Sequence, residues 1–193
     1  MINAFYYHIK LLRPLNVFTS GLAMVIASAI LGVLHETDTV ILIMAVVMCY
    51  AGAANALNDV VDYRIDLINR PMRPIPSGHI SKQTALILSI LLFIVGTVLC
   101  LELSESAKVI GIAIAMPLMV LYSKYLKGMP LIGNITIAFI LGLSFLFCGA
   151  AFDNMVPIWI PMILAFGLTF VRELVKDISD MEGDQSVGLN TFI

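Results

Sequence analysis

Charged side chains are scarce in this chain, and their scarcity is the first guide to its class. Asp, Glu, Lys and Arg together make up 12% of the 193 residues, whereas soluble globular domains carry roughly 25%. Hydrophobic residues reach 60% and the mean hydropathy is +1.00, which excludes an ordinary soluble domain. Cysteine is also rare. Cys49, Cys100 and Cys148 lie in apolar stretches without metal-ligand spacing, so we expect neither a disulfide framework nor a cysteine metal site.

Long apolar runs take up most of the chain. A helix needs about 20 apolar residues to cross a bilayer, and six runs approach or reach that length. They cover about 15–34, 39–57, 84–101, 107–123, 131–152 and 156–175. The sequence therefore predicts an all-α, polytopic transmembrane helix bundle forming a single domain over residues 1–193. We expect the first run to be a permanent helix and not a cleaved signal peptide, because it is too long and lacks a small-residue cleavage site.

The basic residues are distributed unevenly between the two ends of these runs. Ten of the 11 Lys and Arg residues lie at the N-terminus or beside the ends of even-numbered runs, and Lys108 is the exception. Basic residues accumulate on the cytoplasmic side of membrane proteins. We therefore predict a multi-pass protein of the cell membrane whose N-terminus and polar loops face the cytoplasm.

Acidic residues are concentrated in two short windows. Seven of the 13 acidic residues fall within 58–66 and 176–184. In each window Asp recurs at positions i, i+3 and i+7, which share one face of a helix. The residues are Asp59, Asp62 and Asp66 in the first window and Asp177, Asp180 and Asp184 in the second. Because each window follows an even-numbered run, we interpret them as equivalent parts of an internal duplication.

Clustered carboxylates next to a membrane indicate a divalent-cation site. Mg²⁺ prefers oxygen ligands and usually binds through one or two carboxylates together with substrate phosphate oxygens. Two acidic helix ends facing each other would hold two ions bridged by a diphosphate, an arrangement that stabilises negative charge on a leaving group. The chemistry that best combines such a clamp with an apolar interior is ionisation of an allylic diphosphate whose isoprenoid tail lies among the helices. An acceptor nucleophile then captures the allylic cation.

The loop that follows the first acidic window is rigid and basic. Three prolines within 69–78 exclude a continuous helix there, and the same stretch carries Arg70 and Arg73. Ser81 or Thr84 is expected to cap the next helix. Positive-inside topology alone would place cations in this loop and near Lys127 and Lys176. We nevertheless favour contacts with diphosphate or acceptor phosphate for Arg70, Lys127 and Lys176.

The combination of motifs resembles a known family. Asn58, Asp62 and Asp66 spaced four apart, followed by Asn69-Arg70-Pro71 and Arg73-Pro74-Ile75-Pro76-Ser77-Gly78, are similar to the first motif of UbiA-type intramembrane prenyltransferases. Asp180-xxx-Asp184, preceded by 172–177, is similar to their second motif. Further similar segments are Arg13-Pro14-Leu15-Asn16 and Tyr122-Ser123-xx-Leu126-Lys127.

The resemblance implies a helical bundle with a central cavity, open to the cytoplasmic side, and Mg²⁺-dependent prenyl transfer. Catalysis is assigned to Asp62, Asp66, Asp180 and Asp184, and Asp59 and Asp177 are added as metal ligands, with a surrounding or surface role left open for these two. Substrate contacts are assigned to Asn16, Asn58, Arg70, Tyr122, Lys127 and Lys176. The expected partners are an isoprenyl diphosphate, a lipid-like acceptor and membrane lipids, without nucleic acid. Family members usually have nine membrane helices, so a chain with six runs is expected to lack the C-terminal ones.

The loop sequences narrow the resemblance further. Residues 68–78, 130–134 and 171–178 are most similar to archaeal digeranylgeranylglyceryl phosphate synthases, which join a geranylgeranyl group to a glycerol phosphate ether. Prenylation of an aromatic or chlorin acceptor remains an alternative because those members share much of the first motif. From another class, a divalent-cation transporter would also use intramembrane carboxylates, but nearer the bilayer midplane. A truncated, inactive family member is the third alternative.

Overall fold

The computed structural model describes the backbone of residues 2–186 and the side chains of residues 5–178, and all regular secondary structure in this range is helical. The predicted all-α fold is confirmed. The α-helices are α1 (Ile2–Leu12), α2 (Pro14–Leu31), α3 (Thr37–Val61), α4 (Tyr63–Asn69), α5 (Lys82–Cys100), α6 (Glu105–Lys108), α7 (Met116–Leu121), α8 (Ile132–Ala151) and α9 (Trp159–Ser186). Two π-helical segments, Val109–Ala115 and Tyr122–Leu126, flank α7, and a 3₁₀ turn, Val156–Ile158, precedes α9.

Six helical segments in the described part of the chain are long and apolar enough to cross a membrane. They are Pro14–Leu31, Thr37–Val61, Lys82–Cys100, Glu105–Leu126, Ile132–Ala151 and Val156–Ile178. Each overlaps one apolar run of the sequence. Only 6% of the apolar window in the last segment is buried inside the protein, so most of α9 presents apolar side chains outward, as a lipid-facing helix does.

The bundle is built around α3 and α8. Helix α3 packs against α2 and α5, and α8 packs against α9 and α2. Glycines allow two of these close approaches. A Cβ atom at Gly96 of α5 would lie 2.7 Å from the ring of Tyr50 on α3, and one at Gly142 of α8 would lie 3.0 Å from the carbonyl oxygen of Met162 on α9.

The fourth span is not a regular α-helix. Pro117 stands at the start of α7, where it cannot donate a backbone hydrogen bond and its ring would crowd the preceding turn. The N–H of Met116 bonds to the carbonyl of Gly111, five residues back, and the N–H of Lys127 bonds to that of Tyr122 in the same way. Such π-helical turns absorb an interruption of the α-helical ladder and are frequent at functional sites.

The segment between α4 and α5 forms the turns expected from its prolines. Ser81 caps α5 as predicted, with its hydroxyl accepting from the Thr84 N–H at 2.9 Å. Helix α1 holds this segment from outside. The Lys10 ammonium donates to the Met72 carbonyl at 3.3 Å, and the ring of Tyr7 stacks on that of His79 with centroids 3.6 Å apart. The segment is therefore fixed against the bundle.

Candidate functional site

The first acidic window spans the junction of α3 and α4. Helix α3 ends at Val61, Asp62 lies in a turn, and α4 begins at Tyr63. The backbone hydrogen bonds continue across this junction, because the Asp62 N–H donates to Asn58 and the Asp66 N–H donates to Asp62, each at 2.9 Å. The helical register is therefore kept, and Asn58, Asp62 and Asp66 follow one another at successive turns.

The carboxylates of Asp59 and Asp66 are buried in a cluster with two arginines. Arg73 donates to both, at 3.1 Å to Asp59 Oδ1 and 2.5 Å to Asp66 Oδ2. Arg13 donates to the same Asp59 oxygen at 2.6 Å. Asp59 is 2% exposed and Asp66 4% exposed. A buried charge is stable only when it is paired. Arg13 and Arg73 provide the positive charges that allow the Asp59 and Asp66 carboxylates to be buried, and together the four side chains form an arginine–aspartate cluster.

Asp62 has a different partner. Its carboxylate accepts a hydrogen bond from the ammonium of Lys127, which follows the second π-helical segment. Gly133 explains the position of this lysine. A Cβ at Gly133 would lie only 2.7 Å from the Leu126 carbonyl oxygen and 3.2 Å from that of Lys127. Since glycine lets the start of α8 pack directly on this backbone, Lys127 is held at the end of the bundle where α3 ends.

The second acidic window lies at the end of α9. Asp177 accepts a hydrogen bond from the Asn134 side-chain amide of α8 at 2.7 Å. Glu173, one turn earlier, lies 3.5 Å from the Lys176 ammonium and 3.7 Å from the Arg172 guanidinium. The helix continues through Asp180 and Asp184, but the side chains of these two predicted catalytic residues lie outside the described residues. Of the carboxylates in the second window, the structure thus places only the Asp177 side chain, and the predicted joint metal site of the two windows stays a prediction.

Tyr122 lies in the neighbourhood of both windows. Its phenol is near enough to Glu173, Asp62 and Asp177 to be influenced by their negative charges, without a hydrogen bond to any of the three. This side chain belongs to a π-helical segment and is largely buried within the bundle. The acidic ends of α3 and α9 therefore lie at the same end of the protein, where Asp62 pairs with Lys127 and Asp177 bonds to Asn134.

Three residues assigned to substrate make little contact with the described part of the chain. Asn16, in the first turn of α2, and Arg70, directly after α4, are exposed. Their side chains form no hydrogen bond or ion pair with any described residue. Lys176 is also largely exposed and pairs with Glu173. These positions border the polar end of the bundle and leave polar groups available to a ligand.

The oxygen atoms at this end are of the chemical types that bind magnesium. Asn58 Oδ1 is buried and has no hydrogen-bond partner among the described residues, and it lies one turn before Asp62. An orphaned buried oxygen calls for a missing partner, and amide and carboxylate oxygens are ligands that suit Mg²⁺. No three acidic, His or Cys side chains between residues 5 and 178 are close enough to form a metal site by themselves. A complete site needs oxygens from beyond this range or from substrate.

An apolar cavity lies deeper in the same helices. It has an empty volume of about 330 Å³, including the part open to its surroundings. Its lining comes from α3, α8 and the fourth span, and includes Val46, Tyr50, Met119, Leu143 and Phe147. Tyr50 precedes Asn58 by eight residues, or about 12 Å along a helix axis. The cavity thus lies further along the helix axes than the acidic residues, towards the interior of the bundle.

Sequence reasoning missed four polar residues that organise this end. Arg13 and Arg73 pair with buried carboxylates, Asn134 bonds to Asp177, and Glu173 borders Tyr122. The motif segments contained all four, but positive-inside topology explained the arginines equally well. A signal was present for Asn134 and Glu173, because each is a polar residue at the edge of a strongly apolar run.

Comparison with known proteins confirms the resemblance suggested by the motifs. The sequence profile of the UbiA prenyltransferase family matches residues 16–193. The chain is 37% identical over 187 residues to the digeranylgeranylglyceryl phosphate synthase of Methanopyrus kandleri, covering 96% of this chain and 68% of that protein. It is 38% identical over 189 residues to the enzyme of the same name from Methanothrix thermoacetophila, covering 95% and 69%.

The fold is also similar to a solved one. A structure described as giving "structural and mechanistic insights into the biosynthesis of Digeranylgeranylglyceryl phosphate synthase in membranes" superimposes with a TM-score of 0.86 at 34% sequence identity. The match covers 96% of this chain and 67% of that one. The chain therefore spans about two thirds of the length of these proteins. For the enzyme of the same name from Methanothermobacter thermautotrophicus, the match covers 65% of that protein's length.

Proposed function

Because the chain belongs to the UbiA prenyltransferase family, we propose that it transfers a geranylgeranyl group from its diphosphate to geranylgeranylglyceryl phosphate in archaeal ether-lipid biosynthesis. The names of the relatives support this choice of substrates. The observation that carries the proposal is that both acidic windows lie at the same end of the bundle. Asp62 pairs with Lys127, and Asp177 bonds to Asn134, which follows the glycine packed on the Lys127 backbone. Lys127 lies beside them, and an apolar cavity lies below them in the same helices.

The polar end supplies the groups that a diphosphate requires. Lys127 provides a point charge for a phosphate oxygen, and Arg70 provides a planar donor at the rim. Asn58, Asp62 and Asp66 would hold Mg²⁺ together with Asp180 and Asp184. Bound Mg²⁺ supplies the positive charge that offsets the negative charge of the departing diphosphate. We propose that this end faces the cytoplasm, since ten of the 11 basic residues lie on that side.

The reaction exchanges one carbon–oxygen bond for another. The bond between C1 of the isoprenyl chain and the diphosphate oxygen breaks, and the diphosphate leaves with the bonding pair. C1 then forms an ether bond with the acceptor hydroxyl oxygen, and the hydroxyl proton is released. The apolar cavity holds the tail and keeps water away from the allylic carbon, while the ring of Tyr122 faces developing positive charge.

The distribution of charge argues against cation transport. Asp59, Asp62 and Asp66 lie at one end of the bundle, and each pairs with an arginine or lysine. A permeating divalent cation would be repelled by these basic groups, and a transporter places its carboxylates nearer the bilayer midplane. Basic groups next to carboxylates instead suit a ligand that carries both phosphate and metal.

A turnover assay on purified, detergent-solubilised protein tests the proposal. The reactions contain Mg²⁺ and labelled geranylgeranyl diphosphate, with either geranylgeranylglyceryl phosphate or an aromatic acceptor, and EDTA in parallel. We expect an ether product with the glycerol phosphate acceptor that disappears with EDTA. Product with the aromatic acceptor alone would overturn the choice of acceptor. No product with either, in protein that still binds the diphosphate in the presence of Mg²⁺, would show that these 193 residues do not suffice for turnover.

A further inference from the structure

The predicted role of Asp59 as a metal ligand does not agree with its surroundings. One of its oxygens, Oδ1, already accepts from Arg13 at 2.6 Å and from Arg73 at 3.1 Å. The carboxylate is 2% exposed. Two guanidinium groups donate to this carboxylate, whereas Asp66 accepts from Arg73 alone. A divalent cation at Asp59 would therefore have to displace both donors or lie beside two positive charges.

We propose that Asp59 is a positioning residue that fixes Arg73, and through it the loop 70–81 and the Asp66 carboxylate. This inference rests on the proposed function only in what it says about turnover. The Arg73 guanidinium forms the link, because the same nitrogen, Nη1, donates to Asp59 and, at 2.5 Å, to Asp66. Loss of the Asp59 charge therefore removes one of the two anchors of Arg73.

Arg13 is the second arginine that holds Asp59, and it lies on the N-terminal side of the bundle. It connects α1 to α2 and has a backbone φ of 55° and ψ of 72°, a left-handed conformation that is uncommon for a residue with a side chain. Its position before Pro14 makes this conformation more unusual still. Strain of this kind persists where surrounding contacts enforce it, and the ion pair with Asp59 is one such contact. The side-chain amide of Asn55, one turn before Asp59, also donates to the Leu12 carbonyl at 2.9 Å.

The loop 70–81 contains backbone hydrogen bonds and buried side chains that depend on its docking against the bundle. Within it, the N–H groups of Ser77, Gly78 and Ile80 donate to the carbonyls of Arg73, Ile75 and Pro74. Ile75 and Ile80 are buried in a small apolar cluster with Leu11 of α1 and Ala56 of α3. Exchange of these amides with solvent deuterium therefore reports whether the loop stays docked, in metal-free protein and without any turnover.

The test compares Asp59→Asn and Arg13→Gln, singly and together, with wild type in EDTA. We expect hydrogen exchange of the peptide covering 70–81 to rise about tenfold in each single variant. The double variant should show little further increase, because both changes act on one cluster. Glu105→Gln, which breaks an exposed pair with Lys108 at the opposite end, is the control and should leave this peptide unchanged. If Asp59→Asn does not fold, Arg13→Gln decides the question, because it removes one of the two arginines that hold the Asp59 carboxylate and leaves two buried carboxylates to share Arg73.

A second measurement separates positioning from metal binding. With Asp59→Asn, we expect kcat to fall while the Mg²⁺ concentration for half-maximal turnover stays within about twofold of wild type, and Asp59→Glu to restore part of kcat. Unchanged exchange of the 70–81 peptide in both Asp59→Asn and Arg13→Gln would overturn the proposal. A large rise in the Mg²⁺ requirement without increased exchange would do the same and return Asp59 to the metal ligands. Failure of the wild-type chain to transfer prenyl groups would affect only the proposed function, since the exchange experiment needs no substrate.

Discussion

The side-chain amide of Asn134 donates to the Asp177 carboxylate at 2.7 Å, joining the start of α8 to the acidic end of α9 across 43 residues of sequence. This bond orients the one carboxylate of the second acidic window whose side chain is described. A hydrogen bond to a charged group contributes about 1.5–3 kcal/mol to the stability of the arrangement that it holds. If the active arrangement of Asp177 depends on this bond, its loss raises the free energy of the transition state by a similar amount. We therefore expect Asn134→Ala to lower kcat/KM for prenyl transfer by roughly tenfold to a hundredfold, measured by initial rates with labelled diphosphate.

The matched control for Asn134→Ala is Thr136→Val in the same helix. The Thr136 hydroxyl donates to the Ile132 carbonyl of α8 itself, so its loss leaves the contact with α9 intact. Equal losses of activity in the two variants would show that α8 tolerates no change in this turn, and that the Asp177 contact is not the cause.

Two neighbouring lysines offer a test of the basic groups. Lys127 pairs with Asp62, whereas Lys124 is exposed and forms no ion pair with a described residue. Removing one preorganised group that faces developing charge costs about 10²-fold or more in kcat. We expect a loss of that size for Lys127→Ala and less than about threefold for Lys124→Ala. Steady-state kinetics at saturating diphosphate measures both, and a comparable loss in the two variants would assign the effect to general surface charge.

The packing of α3 against α5 should be sensitive to a single methyl group. A Cβ at Gly96 would lie 2.7 Å from two ring carbons of Tyr50 and 3.2 Å from Cys49 Cβ. Overpacking of this kind costs about 1–3 kcal/mol, more than the roughly 1 kcal/mol that alanine gains over glycine in a helix. We expect Gly96→Ala to lower the unfolding temperature in detergent. Gly167→Ala, where a Cβ meets nothing within 4 Å, should leave it unchanged or raise it, and a fall there would remove the steric explanation.

The membrane helices could be predicted from sequence because their signal is local. An apolar run of 18 to 25 residues needs no knowledge of its neighbours, and each predicted run overlaps one of the six spans. The interruptions within the fourth span were not predicted. Pro117 was a visible signal, but the length and place of the π-helical turns depend on how this span packs between α3 and α8.

The partners of the carboxylates could not be predicted, because each involves a fold-dependent contact. Lys127 is 65 residues from Asp62, and Arg13 is 46 residues from Asp59. Helical spacing correctly brought Asp59 and Asp66 to one face, where both contact Arg73. It did not show that an arginine from the following loop would occupy that face. Likewise, Arg70 and Arg73 look equivalent in sequence, and only the turns at 70–81 partly bury Arg73 and leave Arg70 exposed.

The most direct test of the proposed site is the activity of Asp62→Asn. This change keeps the shape of the side chain but removes the charge that faces Lys127 and borders Tyr122. We predict that ether-product formation from labelled geranylgeranyl diphosphate falls by at least about 10²-fold, while circular dichroism and the unfolding temperature match wild type. Wild-type turnover by folded Asp62→Asn protein would contradict the assignment of the polar end of α3 and α9 as the catalytic centre.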